Sequence, residues 1–121
     1  MRVFIVQDQQ KRRGESLVSK FDFSTAEKFG ELVYLLGPSA RPFPPNEEIV
    51  AELHEKLHDF SPDDYLLLVG NPCLIGWATA IAAHYSGGIV QQLQFSSNPT
   101  GHYIDVVADL ELDPIDLDPL D

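Results

Sequence analysis

The chain has 121 residues, 44% of them hydrophobic, with one cysteine and a formal net charge of −11. That suits a single domain with a real core and is too apolar for a disordered chain. A lone cysteine excludes an internal disulfide and a cysteine-built zinc site, and so acidic a balance argues against direct nucleic-acid binding, which needs Lys and Arg in excess.

Val3-Phe4-Ile5-Val6 reads as a short buried strand. Met1-Arg2 leads straight into it, and the run is too short for a signal core. No apolar stretch approaches the ~20 residues of a membrane span, so the expectation is a cytoplasmic protein that does not engage membranes. Gln7–Glu15 lacks any apolar residue and groups Lys11, Arg12 and Arg13, three of the eight basic residues. It reads as a solvated loop, or as a basic loop reaching for an anion where open α/β sheets place ligand loops.

Ser24-Thr25-Ala26-Glu27 matches a capping box and predicts a short helical turn that Gly30 ends. Glu31–Leu36 predicts a second strand, stopped by Gly37-Pro38. The Pro-rich segment 37–46 is an extended connector, with Phe43 expected to fold back onto the core. Asn46-Glu47-Glu48 then opens an amphipathic helix whose buried stripe is Ile49, Leu53, Leu57 and Phe60.

The stretch 64–85 carries the clearest grammar. Tyr65–Val69 is an apolar strand, Gly70 turns, Asn71 caps, and Pro72 takes the first position of an Ala-rich helix. Neither element has a sizeable polar face, so both are expected inside the protein. Gly76, Ala80 and Ala83 form a face without bulk, suited to close approach. Ser86-Gly87-Gly88 stops the helix. Ile89–Phe95 and His102–Val107 read as an antiparallel hairpin, with Ile89, Leu93 and Phe95 inward and Gln92 and Gln94 outward. Asp109–Asp121 is a composition break, with six acids among thirteen residues and no base. It reads as a tail, either mobile or ordering on a basic, apolar groove.

Three constellations could carry chemistry. His54-Glu55-Lys56-Leu57-His58 is a literal H-E-x-x-H, the pattern of a zinc-dependent hydrolase. Lys56 stands where an uncharged residue is usual and nothing marks His84, His102 or an acid as a third ligand, so the reading is two histidines bordering an amphipathic helix and no metal site. The turn Gly70–Gly76 could hold phosphate or a nucleotide at a helix N-terminus. Its spacing matches neither dinucleotide nor P-loop patterns, and Gln94 and Phe95 stand where an acid would take a ribose. The ligand-binding candidates are therefore Gly70, Asn71, Cys73 and Gly76, with Arg12 and Arg13. Cys73, in the first helical turn, lacks the arginine of a phosphatase-like loop, since Thr79 occupies that place.

The run DYLLLVGNPCLIGWATAIAAHYSGGIVQQLQF, followed by HYIDV, resembles a class of short proteins encoded in tailed-phage genomes. The resemblance covers about half the chain and brings no activity, cofactor or catalytic residue. It implies a viral protein in a bacterial cytoplasm, binding host machinery.

The sequence thus predicts one α/β domain over 1–108. Its sheet is mostly parallel, with two main helices and a C-terminal antiparallel hairpin, and a tail follows over 109–121. Strands at Glu31, Tyr65 and Ile89 should be mutually parallel; the place of the first strand is open. The favoured function is non-enzymatic protein–protein interaction without a cofactor, with a basic protein surface as partner. The alternative is a nucleotide- or phosphate-binding domain. The last strand and the small-residue helix face each permit a homodimer.

Overall fold

In a computed structural model of the chain, residues 1–96 and 101–111 are described. The hairpin connection 97–100 and the acidic stretch 112–121 lie outside them, and with them most of the expected tail.

Five strands form the main sheet: β1 (Arg2–Gln7), β4 (Glu31–Leu36), β5 (Tyr65–Leu67), β6 (Ile89–Ser96) and β7 (His102–Asp109). Strands β2 (Gln10–Arg13) and β3 (Ser16–Ser19) make a separate hairpin. The spatial order is β4-β1-β5-β6-β7, parallel from β4 to β6 and antiparallel at β7. The first strand is therefore central, registered Phe4 against Val33 on one side and against Leu66 on the other. Beyond β7, Leu110 N–H donates to the Gly88 carbonyl at 2.7 Å.

Strand order dictates the layers. The step from β1 to β4 runs one way across the sheet, while β4 to β5 and β5 to β6 run the other. Right-handed crossovers then place the first connection on one face and the next two on the opposite face. Helices α1 (Glu47–Leu57) and α2 (Pro72–Ser86) accordingly pack together on one face. Their Leu53, Leu57, Leu74, Ala78 and Ile81 meet Phe4, Val6, Leu66 and Val90, with Phe60 against Phe4 at 5.5 Å between ring centres. Among the described residues, the other face is covered by the 3-10 turn Ser24–Phe29 and its approach, through Phe23 and Ala26 on Val3, Ile5, Leu67, Leu93 and Tyr103. Alternate residues of β1 thus feed two cores, as a strand covered on both faces requires.

Several expectations meet corrections. Segment 7–15 is not a plain loop: Lys11 pairs with Val18 and Arg12 with Leu17 across a tight hairpin. Every residue of β2 is exposed, so no hydrophobic alternation announces it. The turn at Ser24 forms, but its capping box does not; the Asp22 carboxylate accepts the Ser24 N–H instead, at 2.9 Å. Helix α1 starts after Asn46 without a side-chain cap. Phe43 stays on the surface, 70% exposed. Ile89 and Phe95 are partly exposed, while Gln92 lies on the helix side, its amide 3.5 Å from Thr79 Oγ1.

Helix α2 is not buried all round. Leu74, Ala78, Ile81 and Ala82 face the core, whereas Gly76 and Ala80 are exposed. A Cβ at Gly76 would meet no heavy atom within 4 Å. Gly76→Ala should therefore raise stability by about 0.5–1 kcal/mol, because glycine costs backbone entropy within a helix. Urea unfolding with a later midpoint and unchanged slope would verify this.

Candidate functional site

Parallel strands deliver their following loops to one edge. After β1 come Asp8 and the β2–β3 hairpin, after β4 the segment 37–41, and after β5 the turn into α2. Counting main-sheet strands alone, the order is 2-1-3-4-5, and connections diverge on either side of β1. Open α/β sheets hold ligands at such a divergence, outside the carboxyl ends. A cleft of about 640 Å³ lies there.

Gln7 builds its floor. Only 2% exposed, it donates from Nε2 to the carbonyls of Gly37 at 3.2 Å and Ala40 at 2.8 Å, and accepts from Asn71 N–H at 2.9 Å. One side chain thereby ties the loops after β4 and β5 to β1. Asn71 caps α2 as expected: its side-chain oxygen accepts the Cys73 N–H at 2.8 Å, and Pro72 sits at the first helical position.

Gly70 and Asn71 line the cleft with Gln9, Gln10, Lys20 and Arg41; Leu17, Pro38 and Pro72 add apolar wall. Arg12 and Arg13 are exposed on β2 and are not among the lining residues, nor are Cys73 and Gly76, both exposed on α2. The sequence reading missed Lys20 and Arg41. Each stands alone among uncharged neighbours in sequence, and only the β3 and 37–41 connections bring them to one place. Asp8 turns to an adjacent groove with Tyr34 and Lys56, and its carboxylate accepts from Ser19 Oγ at 2.8 Å.

The H-E-x-x-H histidines are engaged separately. His54 Nδ1 lies 2.7 Å from the Tyr85 hydroxyl, and His58 Nδ1 lies 2.7 Å from the Glu55 carbonyl. His84 packs edge-on beside Tyr85. Among the described residues no three His, Cys, Asp or Glu side chains gather as metal ligands would.

A second feature is β7 itself, the sheet's outer edge. Ile104 is 43% exposed, Val106 44% and Val107 60%. Asp105, Asp109 and Glu111 are the charged residues along this edge.

Fold and cleft together define a small, open, mostly parallel α/β domain with a cleft at the carboxyl edge of its sheet. The chain belongs to the phage Pam3 gp32-like protein family, whose family model matches residues 1–110. The resemblance to short phage proteins read from 64–106 is thus borne out across nearly the whole chain. Comparison with curated proteins and with solved structures gave no match. No helix among the described residues is long and apolar enough to cross a membrane.

Proposed function

We propose that this phage protein works in the host cytoplasm by protein–protein interaction, without catalysis, and that β7 is the edge on which an extended partner segment pairs. The observation that supports this reading is the exposure of Ile104, Val106 and Val107 on an eight-residue edge strand. Proteins normally blunt such edges with Lys, Pro, bulges or shortening, because unpaired backbone groups recruit another strand. Here the edge has neither Lys nor Pro. Backbone pairing supplies affinity in this mode, and alternate side chains supply choice of partner. Asp105, Asp109 and Glu111, on a chain of net charge −11, favour a segment mixing apolar and basic residues.

The test is affinity capture from infected cells with wild-type protein and with a Val106→Lys/Val107→Lys variant. Both positions are exposed, so the variant's melting temperature should stay close to wild type. The expected result is a host partner held by wild type, lost by the edge variant, and retained by Phe43→Lys, a change at an exposed apolar residue elsewhere. A partner that survives the edge variant would overturn the assignment. So would a self-paired dimer broken by the same substitutions, since it would give the edge to a second copy.

A further inference from the structure

We infer that the cleft at the carboxyl ends of β1, β4 and β5 binds a small phosphate-bearing organic anion of mononucleotide size, a property separate from pairing at β7. Charge makes the first argument. Acids outnumber bases 19 to 8 in the chain, yet the cleft lining holds Lys20 and Arg41 and no carboxylate. Among the described residues neither cation makes an ion pair; the pairs are Arg2 with Asp59 and Asp64, and Lys56 with Glu52. Two cations left without a counter-charge in a concavity, on a strongly acidic protein, focus a local positive field suited to an anion.

Positioning is the second argument. Arg41 Nη1 donates to the carbonyls of Pro38 and Ala40, each at 3.0 Å, which holds the guanidinium to its own loop. Nη2 and Nε have no protein partner among the described residues, and a guanidinium fork fits a phosphate with two parallel hydrogen bonds. Lys20 is anchored by its backbone N–H on the Gln9 carbonyl at 2.6 Å, and its ammonium lies 5.6 Å from the Phe21 ring centre. The helix N-terminus adds little, since Pro72 has no N–H and Asn71 takes that of Cys73. Recognition would therefore rest on side chains.

Size is the third. A volume of about 640 Å³ falls within the ~300–1,000 Å³ of small-molecule sites and far exceeds one phosphate ion. The amides of Gln9 and Gln10 and the walls of Leu17, Pro38 and Pro72 leave room for a polar ring system beside the phosphate.

The test is calorimetric titration, with thermal melting in parallel, of AMP, GMP, CMP, UMP and inorganic phosphate into wild type, Lys20→Gln, Arg41→Gln and Lys28→Gln. Lys20 and Arg41 are exposed, so these variants should fold. At least one nucleotide is expected to bind wild type and Lys28→Gln equally, and each cleft variant about tenfold more weakly or worse, the loss of one charged hydrogen bond. No response to any nucleotide at millimolar concentration would overturn the inference. Binding that persists in both cleft variants would overturn the location. Inorganic phosphate binding as tightly as the nucleotides would overturn the organic part of the ligand.

Discussion

Gly70→Ala is expected to cost about 3–5 kcal/mol, or about 12–20 °C of melting temperature in a domain of this size. Two independent costs meet at this residue. Its φ of 120° lies where a side chain is strained. A Cβ built there would sit 2.5 Å from Gln7 Cβ and 3.0 Å from Gln7 Oε1. Gln7 cannot swing away, because its amide already joins three loop groups, so the clash must move backbone. A melting curve within about 2 °C of wild type would sink this account. The contrast with Gly76→Ala is the sharper check: the same substitution, six residues on, should stabilise.

Asp64→Ala should cost about 2–4 kcal/mol, less than a fully buried pair because the Arg2 side chain is partly exposed. Asp64 is 4% exposed at the amino end of β5. Its carboxylate accepts from the Arg2 backbone N–H at 3.0 Å, Arg2 Nη2 at 2.9 Å and Ser61 N–H at 3.0 Å, locking β1 to β5 and to the loop after α1. Burial opposes its ionisation, but the Arg2 hydrogen bonds, the Ser61 N–H and the adjacent positive charge together outweigh it. The carboxyl is thus held below its ordinary value of 3.8 in the folded protein. The sign follows: the stabilisation is complete above that ordinary value and is lost as pH falls through the lower folded one. Asp64→Asn should therefore be less stable than wild type at pH 7, with the gap closing as pH falls below the ordinary value of 3.8. Parallel stability curves down to pH ~2 would show that the charge contributes nothing.

The junction of β5 and α2 was legible because its signals are local: Gly70, Asn71 and Pro72 each act on the next few residues as read, although β5 ends at Leu67, two residues short of the apolar run. Helix α1 was legible from its stripe, of which Leu53, Leu57 and Phe60 are buried. The outward face of α2 was not, since alanine and glycine carry too little hydropathy to mark a side. The β2–β3 hairpin was hidden by its exposure on both faces, which leaves no alternation to read. Of the six residues proposed from the sequence, Gly70 and Asn71 line the cleft. Its cations were missed because proximity to the cleft comes from strand order, and the central place of β1 is decided by pairing with residues far along the chain.

That central place sets an order of events during synthesis. Phe4 needs Val33 on one side and Leu66 on the other, so β1 gains its second neighbour only after residue 67 is made. At roughly 5–20 residues per second the ribosome needs about 3–13 s to cover that distance. Through that interval the nascent chain carries Val3-Phe4-Ile5-Val6 with at most one of its two neighbouring strands, and helix α2 has yet to be made. Strand β1 is thus translated before both of its neighbours and is flanked on its two sides only once β5 has been made.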